Sequence, residues 1–201
     1  MKLPEITIRL PEWAEGFLGE GPEVFSSDAE RMGLAVELAR RNVRHATGGP
    51  FGAAVFDTAG RLVAAGVNTV WSANCSVFHA EIMALALAQK VLGRYDIGDN
   101  GRLAYDLFAT TDPCAMCLGA IPWSGVRRLV CGARDEDARA LGFDEGAKPD
   151  DWVQALQLRG IAVERDLRRD EAVTVLREYL AAGGPIYNSG RVKNLKDMEK
   201  F

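Results

Sequence analysis

The sequence predicts an α/β protein, a three-layer α/β/α sandwich around a mixed sheet of about five strands. The predicted elements run in the order helix, hairpin, then strands that alternate with helices. The 201 residues suffice for one domain with a hydrophobic core and are too few for two ordinary ones. No repeat or linker divides the chain. We therefore expect one domain over residues 1–201, with an N-terminal arm over 1–26 and a C-terminal tail over 182–201.

The first elements follow from local patterns. Prolines and glycines interrupt the first 25 or so residues, which predict an arm of short extended pieces. Ser27 or Asp28 can cap a helix that begins near Ala29, because apolar residues then recur at helical spacing. Apolar runs over 51–56 and 61–70 flank a tight turn and predict a hairpin.

Downstream, strands and helices alternate. The remaining predicted helices cover 79–92, 114–123, 135–141, 149–158 and 170–180, and the remaining strands cover 104–110, 127–131 and 161–165.

Charge and hydropathy exclude several classes of protein. The chain has 24 Lys+Arg against 28 Asp+Glu, a net charge of -4, which argues against nucleic acid as a partner. The longest apolar runs, such as 82–88, are far shorter than the roughly 18 residues needed to cross a bilayer. The first ten residues lack the apolar segment of a signal peptide. We expect a cytoplasmic protein without a membrane partner.

The four cysteines fall into two groups. Cys114 and Cys117 form a C-x-x-C pair, which in a reducing compartment indicates metal ligands or a redox pair. Cys75 and Cys131 have no partner at ligand spacing, so we expect free thiols packed as small hydrophobic residues. Disulfides are disfavoured, because no export signal is visible and a chain of this length needs no covalent staples.

A histidine and a glutamate accompany the cysteine pair. His79 and Glu81 stand at a predicted helix start, and Cys114 follows Glu81 by 33 residues at another helix start. One imidazole and two thiolates supply three zinc ligands and leave a fourth position open for water, as in a catalytic site. A closed structural site would need a fourth ligand, for which Cys75 or His45 is available. A redox pair leaves the histidine and the glutamate unexplained.

The motif H-x-E…P-C-x-x-C stands here as residues 79–81 and 113–117 and is the signature of zinc deaminases. The chain therefore resembles the cytidine deaminase superfamily. The segments 48–55, 117–124 and 142–145 are also similar to bacterial guanine deaminases of that superfamily, including the subgroup that accepts ammeline. The resemblance extends over residues 28–190. It implies a cytidine deaminase-like fold, one zinc-dependent deaminase domain and a homodimer.

The resemblance also implies roles for the motif residues. One Zn²⁺ per chain would be held by His79, Cys114 and Cys117. Glu81 would be the catalytic residue that moves the proton of the attacking water. We also expect Ala80, which lies between the histidine and the glutamate, to contact the substrate.

Two further candidate contacts lie around the hairpin. Phe51 could stack on a flat heterocycle, although a phenylalanine at a strand start is as commonly a core residue. Asn68 offers a donor and an acceptor suited to a purine edge, and the resemblance implies that it anchors the base. Turn chemistry would equally explain an asparagine there.

Three candidates follow the cysteine motif. The resemblance implies that Glu145 is a second catalytic carboxylate, with Asp144 as its neighbouring competitor. An acidic loop residue is otherwise solvated. Tyr187 lies in an apolar tail segment that in similar enzymes folds over the site as a lid. The alternative is a tail packed on its own domain or on a partner subunit.

The implied reaction is hydrolytic deamination of guanine to xanthine and ammonia, with ammeline as a further substrate, so the partner is a purine or triazine base. A cytosine, nucleoside or other small-heterocycle deaminase is the main alternative. A tRNA adenosine deaminase is less favoured, because of the net charge and because Phe51 stands where such relatives have a smaller residue. A non-catalytic zinc protein is a third alternative. Asp112 stands where many relatives have glutamate, and since a carboxylate is kept we expect no loss of activity.

Overall fold

The computed structural model describes residue 3 and residues 5–187. From residue 188 onward, the expected tail lies outside the described residues, as do residues 1, 2 and 4 of the arm. The helices are α1 Glu12–Gly19, α2 Asp28–Arg44, α3 Ala80–Leu92, α4 Ala115–Ser124, α5 Asp135–Ala140, α6 Trp152–Gln157 and α7 Arg169–Ala181. The strands are β1 Gly52–Asp57, β2 Leu62–Val67, β3 Tyr105–Thr111, β4 Arg128–Ala133 and β5 Ala162–Glu164.

The five described strands form one sheet in the order β2-β1-β3-β4-β5. Strand β1 is antiparallel to both β2 and β3, whereas β3–β4 and β4–β5 are parallel. The hairpin comes first, and each parallel strand then follows a helical connection. The predicted mixed sheet is confirmed.

Helices cover both faces of this sheet. Phe56, Phe108 and Val130 lie in one apolar core together with residues of α2 and α7. Leu107 and Leu129 lie in a second core with residues of α3, α4 and α6. Because neighbouring strand residues point to opposite faces, each strand contributes to both cores. The three-layer sandwich is therefore confirmed.

Helix α2 begins where its capping signal predicted. The Ser27 hydroxyl accepts a hydrogen bond from the Glu30 N–H at 3.3 Å. Acidic residues occupy the first turn and basic residues the last, which suits the helix dipole.

The prediction of an extended N-terminal arm is wrong over residues 12–19, which form α1. Pro11 directly precedes the helix, where its missing N–H costs no bond. Ala14 is fully buried, and Trp13 and Phe17 pack against the core beside it. The two glycines in this segment lower its helix propensity, so local propensity did not predict a helix. Tertiary packing stabilises the short helix instead.

Two helices start one residue later than predicted, and the shift matters for the site. His79 and Cys114 are the N-cap residues of α3 and α4 rather than their first helical residues. Their side chains therefore lie at the helix ends that face the carboxyl edge of β3.

In the part of the chain that the structure describes, no helix has the length and apolar character of a membrane span.

Candidate active site

Three side chains form a metal-binding group at the N-termini of α3 and α4. The Nδ1 atom of His79 lies 3.4 Å from Sγ of Cys114 and 3.7 Å from Sγ of Cys117. Tetrahedral zinc with ordinary Zn–N and Zn–S bonds needs about 3.5 Å between nitrogen and sulfur. Within the described residues, the group contains these three ligands and no fourth. The donor set therefore fits zinc with one position left for water or substrate.

The two residues considered as a fourth ligand lie elsewhere. The His45 ring stacks on Trp13 with ring centroids 5.1 Å apart. Cys75 is a half-buried free thiol, and Cys131 is a buried free thiol, as predicted.

Hydrogen bonds and burial shift the pKa values of the two cysteine thiols in opposite directions. A hydrogen bond from Cys117 and a second from His79 lower the pKa of Cys114 to about 4, against the opposing effect of burial. The same bond to Cys114, together with burial, raises the pKa of Cys117. Metal binding would release the proton of any cysteine still protonated, because zinc is held by thiolates.

Glu81 lies on the first turn of α3, two residues after the histidine ligand, and only 8% of it is exposed. Burial raises its pKa, with a smaller contribution from the charge of Cys114. A carboxyl group that is buried beside metal ligands suits the transfer of a proton.

A cavity of about 320 Å³ adjoins the metal-binding group. Most of the sequence-predicted site residues line it: Phe51, Asn68, His79, Glu81, Cys114, Asp144, Glu145 and Tyr187. Its size and mixed apolar and polar lining are those of a small-molecule site.

Asn68 is buried, and its carboxamide has a defined orientation. Its Oδ1 accepts hydrogen bonds from the N–H groups of Gly49 at 3.3 Å and Val70 at 3.2 Å. Its Nδ2 therefore points the other way and has no hydrogen-bond partner among the described groups. A buried amide donor without a partner is costly, and a ligand with an acceptor would satisfy it.

Aromatic rings form one wall of the cavity. The rings of Phe51 and Phe143 meet edge to face with centroids 5.0 Å apart. Tyr187 meets Phe143 at 5.8 Å. A Cβ atom at Gly49 would lie 2.9 Å from Cε1 of Tyr187, so the glycine lets this ring approach. The last described residue thus packs against the site of its own chain.

The loop after α5 carries two carboxylates, and one of them is buried in the cavity. Glu145 is buried, and its carbonyl oxygen accepts a hydrogen bond from Ala115 N–H at the start of α4. Burial raises the pKa of Glu145 to about 8, helped by the negative charges of Cys114 and Glu81. The Asp144 side chain is largely exposed, and its Oδ1 accepts a hydrogen bond from Gly146 N–H at 2.8 Å. Glu145 is thus the inner carboxylate of the two.

Ala80 differs from the other candidates. Its side chain is 1% exposed, packs in the core of the α3 layer, and is not among the cavity-lining residues. It occupies the first position of α3, where a helix leaves its N–H without an intrahelical partner. Contact with a ligand would therefore have to come from its backbone.

Asp112 anchors the junction between β3 and α4. Its side chain is fully buried. It accepts hydrogen bonds from Arg165, one of them at 3.0 Å, and from Asp135 N–H at 3.1 Å. The carboxylate two residues before the first cysteine ligand is therefore held from two other loops.

Sequence reasoning did not single out three residues of this region. Phe143 lies in the segment 142–145, which the resemblance already included. Thr111 ends β3 on the face of the sheet that carries α3 and α4. Asn42 is fully buried in α2, where it donates to the carbonyl oxygens of Gly49 and Asn68 at 2.8 Å each. An asparagine on the apolar stripe of a helix is a signal that could have identified it.

The chain is similar to proteins of known family. The family model for the cytidine and deoxycytidylate deaminase zinc-binding region matches residues 25–133. The guanine deaminase of Bacillus subtilis (strain 168) is 40% identical over 111 residues, which are 55% of this chain and 67% of that protein.

Solved structures extend the similarity to most of the chain. The guanine deaminase from Nitrosomonas europaea superposes with a TM-score of 0.83 at 46% identity, over 88% of this chain and 97% of that one. The structure of NE0047 in complex with 2,6-diaminopurine gives a TM-score of 0.84 at 47% identity, over 91% and 96% of the two chains.

Proposed function

The chain belongs to the cytidine and deoxycytidylate deaminase family, whose members are zinc hydrolases acting on C–N bonds, and from this premise we propose that it hydrolyses guanine to xanthine and ammonia. Water supplies the oxygen that becomes bonded to C2, and the bond from C2 to the amino nitrogen breaks. Ammeline carries an amino group on a similar six-membered ring and is proposed as a second substrate.

One observation of the site supports a base with hydrogen-bond acceptors, and guanine is such a base. The Nδ2 donor of Asn68 is buried at the cavity without a partner among the described residues. Guanine presents ring nitrogens and a carbonyl oxygen that accept such a bond. A site built to hydrogen-bond its substrate discriminates strongly against analogues that leave its polar groups unpaired. The two similar solved structures, a guanine deaminase and a complex with a diaminopurine, support the same substrate class.

The aromatic wall suits a flat base. Phe51, Phe143 and Tyr187 would contact the ring system from this wall. Closing the cavity with Tyr187 would exclude bulk water and strengthen the polar contacts within it.

His79, Cys114 and Cys117 would hold the zinc ion, which when bound supplies an acidified water at neutral pH. Glu81 would take the proton of the attacking water and pass it to the ring nitrogen beside C2. The added proton makes C2 more electrophilic. Burial beside the metal ligands keeps this carboxyl group close to the reacting atoms.

Glu145 would act as a second carboxyl group in the cavity, besides Glu81. It could accept hydrogen bonds from the N–H edge of the base, and it or Glu81 would deliver the second proton to the departing amine. Asp144 would contribute by accepting the Gly146 N–H and so shaping the loop that carries Glu145. Ala80 would contact the base through its backbone N–H.

The test is ammonia release by the zinc-loaded protein with guanine, ammeline, guanosine, cytosine, cytidine and adenine. Glu81→Gln serves as the inactive variant, since it keeps the side-chain shape and removes the acid–base group. We expect turnover of guanine that Glu81→Gln lowers by at least about 100-fold. Turnover of cytosine or a nucleoside instead would reject guanine and the assignment of Asn68 while keeping the deaminase chemistry.

A further inference from the structure

Thr111 has a buried hydroxyl group that no described part of the protein uses. The residue is 4% exposed, lines the cavity, and its Oγ1 has no hydrogen-bond partner within the described structure. Burying a hydroxyl without a partner costs about 1–3 kcal/mol. A protein gains from that arrangement only when a ligand supplies the missing bond.

The preceding residue shows what a structural threonine does in this strand. Thr110 is equally buried, but its Oγ1 accepts a hydrogen bond from Gly52 N–H at 3.1 Å. This bond joins β3 to the start of β1. The hydroxyl of Thr110 is therefore satisfied within the fold, whereas that of Thr111 has no partner among the described residues.

The strand directs Thr111 toward the reacting end of the cavity. Leu107 and Ala109 face the layer that contains α3 and α4, and the two-residue period of a strand directs Thr111 to the same face. Cys114 follows three residues later, and Glu81 lines the same cavity. The carbon of the base that loses its amino group must lie at this wall. A hydroxyl group on this wall would therefore lie nearer to the amino group than to the far edge of the base.

We propose that Thr111 is a substrate-contacting residue whose hydroxyl oxygen accepts a hydrogen bond from the amino group that leaves. This inference rests on the proposed guanine deamination. As that amino group gains a proton and its bond to carbon breaks, its N–H groups become more acidic. The bond to the hydroxyl then strengthens, so Thr111 stabilises the transition state more than the bound substrate.

The test compares Thr111→Val with Thr111→Ser, and uses Thr110→Val as the matched control. Valine keeps the shape and removes the hydroxyl, whereas serine keeps the hydroxyl. We expect Thr111→Val to lower kcat/KM for guanine about 10- to 100-fold, mainly through kcat, and Thr111→Ser to stay within about threefold of the parent. The inhibition constant of hypoxanthine, which is guanine without its amino group, stays within about twofold.

Thermal unfolding separates this role from a structural one. Thr111→Val should leave Tm unchanged or raise it, because it removes an unsatisfied hydroxyl. Thr110→Val should lower Tm by about 2–4 °C for one lost bond. A fully active Thr111→Val overturns the proposal, as does a fall in its Tm equal to that of the control. Equal weakening of hypoxanthine binding also overturns it, because the contact would then be to the ring. Failure of the parent protein to release ammonia from guanine refutes the proposed function itself.

Discussion

Replacing Asn42 with alanine should destabilise the whole protein although the residue does not line the cavity. Its Nδ2 supplies both donors to the carbonyl oxygens of Gly49 and Asn68, at 2.8 Å each. Its Oδ1 accepts the Thr47 hydroxyl at 2.7 Å, and Thr47 in turn accepts the indole N–H of Trp13 at 2.9 Å. The side chain therefore connects α1, α2 and both ends of the hairpin.

The expected magnitude follows from what Asn42→Ala leaves behind. Two buried carbonyl groups lose their donor, and each costs about 1–3 kcal/mol. We expect a loss of about 3 kcal/mol, a large part of the 5–15 kcal/mol that stabilises a typical domain. For a chain of this length the loss lowers Tm by about 6–12 °C. The carbonyl of Asn68 is one of the two groups released, so KM for guanine should also rise.

Urea unfolding at saturating zinc measures this effect, with Thr47→Val as control. The control removes both bonds of the Thr47 hydroxyl, to Trp13 and to Asn42, but leaves the two carbonyl groups paired, and should cost about 1–2 kcal/mol. A loss for Asn42→Ala no larger than that of Thr47→Val would refute the reasoning, because water would then have replaced the lost donors. Unchanged slopes of the unfolding curves would show that the difference lies in stability.

Three further outcomes are expected. A Cβ atom at Gly66 would overlap the Ala80 carbonyl oxygen and lie 2.5 Å from the Ala84 nitrogen. Gly66→Ala should therefore push α3 away from β2 and lower zinc affinity, measured by chelator competition, and parent-like affinity would contradict this. Arg165→Met leaves the buried Asp112 carboxylate without its cation, and urea unfolding should show a loss of about 2–4 kcal/mol; a loss below 1 kcal/mol would indicate that water solvates the carboxylate. Removing zinc with dipicolinate should abolish ammonia release and lower Tm, both restored by one equivalent of Zn²⁺ per chain, and a protein that stays active without metal would contradict the assigned ligands.

The metal-binding group was predictable because its geometry is local. Cysteines three residues apart share one face of a helix, and Pro113 marks where that helix can begin. The histidine and glutamate are likewise two residues apart at another helix start. Only the contact between the N-termini of α3 and α4 depends on the sheet. The alternation of strands and helices already predicted that both helices lie on one face of it.

The proposed substrate contacts were predictable only through resemblance. Nothing near Asn68 in the sequence indicates that its Oδ1 accepts two backbone N–H groups while its Nδ2 has no partner in the described part of the chain. That orientation depends on Gly49, which lies 19 residues away along the chain. Similarly, Glu145 is buried and Asp144 is exposed because of the way their loop packs against Ala115.

The layer architecture, the possible zinc ligands and the position of Glu81 beside them could all be predicted from the sequence, since each rests on periodicity or on motifs with spacings of a few residues. Only tertiary contacts make residues 12–19 helical, let Asn42 connect three elements and let Arg165 hold Asp112, and only they leave the Thr111 hydroxyl without a partner among the described residues. These features depend on contacts between residues distant along the chain. Whether a buried polar group is satisfied is a property of everything packed around it, and a local pattern carries no record of those neighbours.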